Sequence, residues 1–150
     1  MFTERFATPD GKGHFATAEE TPPAETPDEQ YPFTLTTGRV LFHYHTASMT
    51  GRTDTLAGEL EEGFVEMNQE DAQSLGVENG ERVTVRSARG SIDVPARVGT
   101  DVPPGLVFVP FHFARTQANV LTNPAYDPAC KMPEFKVCAV DIRRAAAAGG

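Results

Sequence analysis

The chain has 150 residues, enough for one domain with a substantial core. Lys and Arg number 13 against 21 Asp and Glu, and the net charge of −8 argues against a general nucleic-acid or anionic-membrane binder, since both need a cationic surface. The two cysteines, Cys130 and Cys138, form no CxxC pair and are too few for a disulfide scaffold or a four-ligand metal site.

Residues 1–30 differ from the rest. The stretch Thr21-Pro-Pro-Ala-Glu-Thr-Pro-Asp-Glu-Gln30 is rich in Pro and acid, buries little, and predicts an extended lead-in. His14-Phe-Ala16 is its one candidate strand. Such a beginning suggests the tail of something larger. Met1–Pro9 lacks the basic and apolar regions of a signal peptide, and no apolar run approaches the ~20 residues of a membrane helix. The expectation is a chain with reduced thiols, no membrane insertion and a cytoplasmic location.

From Tyr31 the chain becomes strand-like. Phe33-Thr-Leu-Thr-Thr37 alternates and is stopped by Gly38. Residues 39–58 read as a long polar loop, which in a compact domain is a place for function. Phe64–Met67 predicts a short strand. Asn68 then caps a helix to Leu75, with Asp71 near the position of a weak capping box and Gly76 ending it. Asn79-Gly80 marks a turn. Arg82–Arg86 alternates with Val83 and Val85 inward, Arg89-Gly90 turns the chain, and Ile92, Val94, Ala96 and Val98 face inward on the return. Pro95 within that strand predicts an edge position or a bulge.

Pro103-Pro-Gly105 is a further turn, and Leu106–Val109 is a continuous apolar strand. Residues 110–134 form a second long polar loop. Phe135–Ile142 is the last strand, and Arg143–Gly150 reads as a frayed tail. The sum is a mainly β barrel with one or two short helices and two long loops. Its divisions are a lead-in over 1–30, a barrel over 31–144 and a flexible tail over 145–150.

Two constellations carry candidate chemistry. The first is Thr36-Thr-Gly-Arg39, His43-Tyr-His45-Thr46 and Met49-Thr-Gly-Arg52. Gly38 lets backbone amides approach a ligand, the arginines offer planar bidentate donors, and the threonines offer short adaptable ones. Such a set suits a polyanionic cofactor rich in hydrogen-bonding edges; the alternative is a surface loop with incidental His and Arg. His43 and His45 also have the spacing of a metal pair, but no third ligand accompanies them. The second constellation is Pro110-Phe111-His-Phe113 with Asn119, Asn123, Phe135 and Lys136. Asn reads donor–acceptor edges, Phe faces stack, and Lys neutralises phosphate. The alternative is that the Phe residues plug the core and the Asn residues form turns. No Ser–His–Asp set, P-loop or GxGxxG is present, and no catalytic or metal-ligating residue is assigned.

Leu35-Thr-Thr-Gly-Arg-Val-Leu41, then His43-Tyr-His45-Thr46 and Ser48-Met-Thr50, resembles the C-terminal dinucleotide-binding domain of molybdopterin oxidoreductases. The resemblance is strongest to formate dehydrogenase catalytic subunits and nitrate reductases. Asn119-Val-Leu-Thr-Asn123, Asp127-Pro128 and Pro133-Glu-Phe-Lys-Val-Cys-Ala-Val140 follow in the same order, and Thr3-Glu-Arg-Phe6 with Pro9-Asp-Gly-Lys12 looks like the preceding segment. The resemblance implies a double-psi β-barrel covering bis-molybdopterin guanine dinucleotide, with Mo or W, held jointly with other domains. It implies that Thr36, Thr37, Gly38, Arg39, Val40, Leu41, His43, His45 and Thr46 lie along the pterin and phosphates. Phe111, Asn119, Asn123, Phe135 and Lys136 are the later contacts. Phe42, Tyr44 and Gly51 depart from the family, which usually has Glu, Trp and often Arg there. The implied partner is the remainder of a catalytic subunit or a separately encoded catalytic chain. The metal ligand, the iron–sulfur cysteines and most of the substrate funnel belong to domains outside these residues. The competing readings are a stand-alone barrel used for protein interaction, an inactive fragment, and a non-redox nucleotide binder.

Overall fold

A computed structural model describes residues 3–145. Six strands close a barrel: β1 (Phe33–Gly38), β2 (Val65–Asn68), β3 (Arg82–Arg86), β4 (Ser91–Gly99), β5 (Leu106–Pro110) and β6 (Cys138–Arg144). Around the barrel they run β1-β5-β2-β4-β3-β6. Two neighbouring pairs are parallel, β1 with β5 and β2 with β4; the other four are antiparallel. This mixed crossing is the double-psi barrel. Inward residues alternate with outward ones, and Leu35, Val65, Met67, Val83, Val85, Val94, Val107, Val109 and Val140 are fully buried. Each such side chain contributes about 1.5–3 kcal/mol through loss of apolar surface to water.

The single long strand β4 makes the crossing possible. Its first half, Ser91–Pro95, pairs β3, and its second half, Ala96–Gly99, pairs β2. Pro95 sits at the handover. A closed barrel has no edge, so the edge position expected for Pro95 is not what the chain uses. Instead Gly80 donates its N–H to the Ala96 carbonyl (2.7 Å) while Ala96 donates to the Glu81 carbonyl (2.8 Å). Two residues thus oppose one, a bulge beside Pro95, and Gly80 takes the positive φ of 85° that it needs. The missing Pro95 N–H costs no ladder bond, because Arg82 and Pro95 are a pair that exchanges none.

Helix α2 (Gln69–Leu75) starts at Asn68, whose side chain accepts from the Glu70 N–H (2.9 Å), and ends at left-handed Gly76. The capping box is not closed. Asp71 turns instead to the Gly105 N–H (2.8 Å) and ties the helix to the turn before β5.

Other expectations are corrected. Residues 39–58 are not all loop: a 3-10 turn (Thr50–Arg52) and helix α1 (Asp54–Glu59) form there, and α1 runs one residue past that stretch. His14-Phe-Ala16 forms no strand, and Phe15 is fully exposed with nothing to pair against. Arg143 and Arg144 are not a frayed tail: they pair Thr84 and Val83. Ala145 donates to the Arg82 carbonyl (3.0 Å), and the rest of the expected tail lies outside the described residues.

The lead-in is extended but fastened. Glu25 accepts from both terminal nitrogens of Arg89 (2.7 and 3.0 Å) and from the Ala139 N–H (2.9 Å). Glu134 accepts from the Ala24 N–H (3.2 Å).

Candidate cofactor site

Register decides which segments meet. Because β1 and β5 are parallel, their ends coincide at Gly38↔Pro110, and the Phe111 N–H adds one bond to the Gly38 carbonyl (3.2 Å). Because β6 is antiparallel to β1, the residues preceding it arrive at the same end. Three stretches far apart in sequence therefore converge.

There they enclose a cavity of ≈ 580 Å³ lined by Thr37, Gly38, Arg39, Phe111, Asn119, Phe135 and Lys136. All seven belong to the candidate set read from the sequence. Thr37 donates its hydroxyl to the Phe135 carbonyl (2.9 Å), which joins the two loops. Lys136 donates to the Thr37 carbonyl. Arg39 lies over the Phe111 ring at 5.9 Å and bonds the His45 Nδ1 (3.2 Å). The Asn119 side chain makes no hydrogen bond among the described residues, so its donor and acceptor remain available. Gly38 is required by space: a Cβ there would lie 2.6 Å from the Phe108 ring.

The other candidates are placed differently. Thr36 and Val40 are half-buried, and Leu41 projects outward, 91% exposed. His43 is buried: its Nε2 donates to the Leu60 carbonyl (2.8 Å) and its Nδ1 faces the Thr50 hydroxyl (3.0 Å). His45 instead meets Arg39 and the Tyr44 ring, so the two histidines serve different partners and do not form a pair. His43 and Thr46 line a second, larger cavity of ≈ 1260 Å³ with His112, Phe113, Arg52 and Arg115. Asn123 is buried and engaged, accepting from the Ala125 N–H (2.9 Å) and donating to the Val137 carbonyl (2.9 Å). It also donates its backbone N–H to the Cys138 Sγ (3.2 Å), and burial raises the pKa of that thiol.

His112 stands within the second constellation, but nothing in the sequence assigned it a role. It is 2% exposed, and both ring nitrogens are engaged: Nδ1 donates to the His45 carbonyl, and Nε2 accepts the Val40 N–H (2.8 Å). That arrangement requires neutral imidazole with its proton on Nδ1. Burial pushes the imidazole pKa below its ordinary value. The His45 carbonyl opposes this, while His43, Arg39 and His45 reinforce it. The available signal was a histidine between two Phe residues directly after an apolar strand.

A family model described as "Molydopterin dinucleotide binding domain" matches residues 33–139. The chain belongs to that family. It is 49% identical over 144 residues to the F420-dependent formate dehydrogenase 1 subunit alpha of Methanococcus maripaludis, covering 96% of this chain and 21% of that protein. It is 51% identical over 144 residues to the F420-dependent formate dehydrogenase subunit alpha of Methanocaldococcus jannaschii, with the same coverage of 96% and 21%. The assimilatory nitrate reductase catalytic subunit of Bacillus subtilis is 43% identical over 145 residues, covering 95% of this chain and 20% of that one. The chain thus spans about a fifth of the length of the curated relatives it matches. The solved acetylene hydratase from Pelobacter acetylenicus superposes with a TM-score of 0.68 at 15% identity, covering 77% of this chain and 18% of that one, which establishes the shared fold.

The smaller cavity combines cationic and aromatic groups. Two cations face the smaller cavity, no carboxylate lines it among the described residues, and Phe111 and Phe135 offer faces for a heterocycle. In a chain of net charge −8, that exclusion of acids is a matter of placement, not composition. Of the three family departures, Gly51 is sterically neutral. A Cβ there would meet only the Ala47 Cβ, at 3.7 Å.

Proposed function

We propose that this domain holds a bis-molybdopterin guanine dinucleotide carrying Mo or W, jointly with the remainder of a formate dehydrogenase- or nitrate reductase-type catalytic subunit. When bound, that group would supply a redox-active metal centre. The observation that carries the reading is the 580 Å³ cavity, because its lining combines Arg39, Lys136, Asn119 and two Phe rings without a carboxylate. Arg39 and Lys136 balance phosphate charge, Asn119 reads a heterocycle edge, and Phe111 and Phe135 stack on its faces. Thr37 and Gly38 fix the backbone that the ligand approaches. This chain forms one wall of the site and excludes water from that side.

We assign the division into a lead-in over 1–30, a barrel over 31–144 and a tail over 145–150, supported by strands that begin at Phe33 and end at Arg144. We also assign a cytoplasmic location, supported by Cys130 and Cys138, which remain free thiols. Among the described residues no helix is long and apolar enough to cross a membrane.

The test is pterin and metal content per mole of purified catalytic subunit, native against Arg39→Ala. Arg39→Ala is expected to lower both in proportion. Unchanged pterin and metal would remove Arg39 from the site and overturn the assignment of this loop.

A further inference from the structure

His112 lies outside the cavity that carries the proposed function, yet it governs the loop that forms that cavity's wall. Its imidazole touches both ends of the turn Val40–His45: Nε2 takes the Val40 N–H and Nδ1 gives its proton to the His45 carbonyl. His45 sits at a positive φ of 48° and Ala47 at 57°, conformations that non-glycine residues adopt only when the surroundings hold them. Because His45 in turn bonds Arg39, the imidazole fixes the backbone on both sides of the Arg39–His45 pair.

We propose that His112 is a positioning residue for the cofactor loop, acting only as the neutral Nδ1–H tautomer and releasing the loop when protonated. A second proton on Nε2 would point at the Val40 N–H, donor against donor, and break that bond. Charged and titratable groups face the ring from two directions. Arg39, His43 and His45 stand on the loop itself, and their charges oppose protonation. Across the larger cavity stand Arg52 and Asp54, Glu61 and Glu62, and Arg82 and Asp93, with Arg115 on the ring's own segment. Phe111 at 5.0 Å and Phe113 at 6.1 Å complete an apolar seat that keeps the ring in place.

The inference rests on the proposed function only for what the loop holds, so the test separates the two. The full 150-residue chain is examined by long-range ¹H–¹⁵N correlation of the His112 ring and by hydrogen exchange of the Val40 amide, from pH 7.5 to 5. The expected result is a proton on Nδ1 alone at pH 7.5. The ring should titrate below its ordinary 6.5, with Val40 protection lost in step. Two variants dissect the bonds. His112→Gln places an acceptor near the Nε2 position and is expected to keep Val40 protection. His112→Asn reproduces only the Nδ1 donor and is expected to lose roughly 3- to 10-fold of that protection. A ring protonated on Nε2 at pH 7.5, or a Val40 amide indifferent to the His112 titration, overturns the proposal, and neither measurement depends on a variant that folds. Pterin content of the catalytic subunit carrying each variant completes the test: a loss with Asn and retention with Gln is expected, and equal content in both overturns the link to the cofactor. A negative result for Arg39→Ala would remove the ligand assignment while leaving the tautomer and exchange results standing.

Discussion

Replacing Glu25 with Ala removes the pin that fastens the lead-in to the barrel. The Glu25 carboxylate accepts three bonds, two from Arg89 (2.7 and 3.0 Å) and one from the Ala139 N–H (2.9 Å). The pair is mostly shielded, with side chains 20% and 27% exposed, so it is screened less than a surface pair. Hydrogen bonds to charged groups contribute roughly 1.5–3 kcal/mol each, and a buried donor left unpaired costs about 1–3 kcal/mol. Arg89 keeps the Leu121 carbonyl (2.8 Å) in the variant, and its guanidinium can turn to water, so most of the Arg89 contribution is recovered. Ala139 is 2% exposed and has no such escape. The net expected loss is therefore about 2–4 kcal/mol.

Urea unfolding followed by circular dichroism reads that loss, and the Ala139 amide should exchange faster in the variant. Glu25→Gln keeps an acceptor for Ala139 and should lose only about 1–2 kcal/mol, the charge-dependent share. Limited proteolysis should cut Glu25→Ala within residues 20–30 much faster than the native chain. A Glu25→Ala variant within about 0.5 kcal/mol of the native chain, with unchanged Ala139 exchange, would refute the pin.

Further outcomes follow from single contacts. Gly38→Ala drives a Cβ to 2.6 Å from the Phe108 ring and should cost about 1–3 kcal/mol, read as a lower urea midpoint. Thr116 buries a hydroxyl that finds no partner among the described residues, so Thr116→Val should stabilise by about 1 kcal/mol. Stability should fall as pH drops below 6.5. The His112 pKa is lowered in the fold, so the unfolded chain takes up the proton first, and His112→Gln should flatten that slope. Glu66 has the opposite sign. Burial and then the Asp101 charge raise its pKa against the pull of Arg97, so its carboxylate destabilises the fold at neutral pH. Glu66→Gln should therefore raise the melting temperature at pH 7 and lose that advantage as pH falls towards 4.5.

What the sequence disclosed follows its periodicity. Arg82–Arg86 and the return strand were legible because alternation at a period of two writes the buried face directly. Helix α1 was not, because it is six residues long, contains Gly58, has no side-chain cap and buries nothing. Arg143 and Arg144 looked like a tail because both are charged and exposed, and only their pairing with β3, some 60 residues earlier, makes them strand. Glu25 was invisible for the same reason: its partners Arg89 and Ala139 are distant in sequence, and a Pro-rich acidic stretch gives no sign of a specific anchor. The smaller cavity was legible through its motif residues. His43 and Asn123 were grouped with it because His and Asn fasten loops with the same atoms that they offer to ligands.

The step from β5 into its loop joins the two roles. Val109 is buried in the barrel, Phe111 lines the smaller cavity, and His112 lines the larger one. The two rings lie only 5.0 Å apart, so one dipeptide lines the smaller cavity with an aromatic ring and fastens the neighbouring loop with an imidazole. The cavity wall and the imidazole share one backbone, itself bonded to Gly38 through the Phe111 N–H. A shift of one residue in the β1–β5 register would displace His112 along the loop and leave Val40 and His45 without their partner. The fully buried Leu35, Val107 and Val109 resist that shift, because the same slip would turn them outward. The apolar register of the barrel thus fixes where His112 meets Val40 and His45, on the loop that carries Arg39.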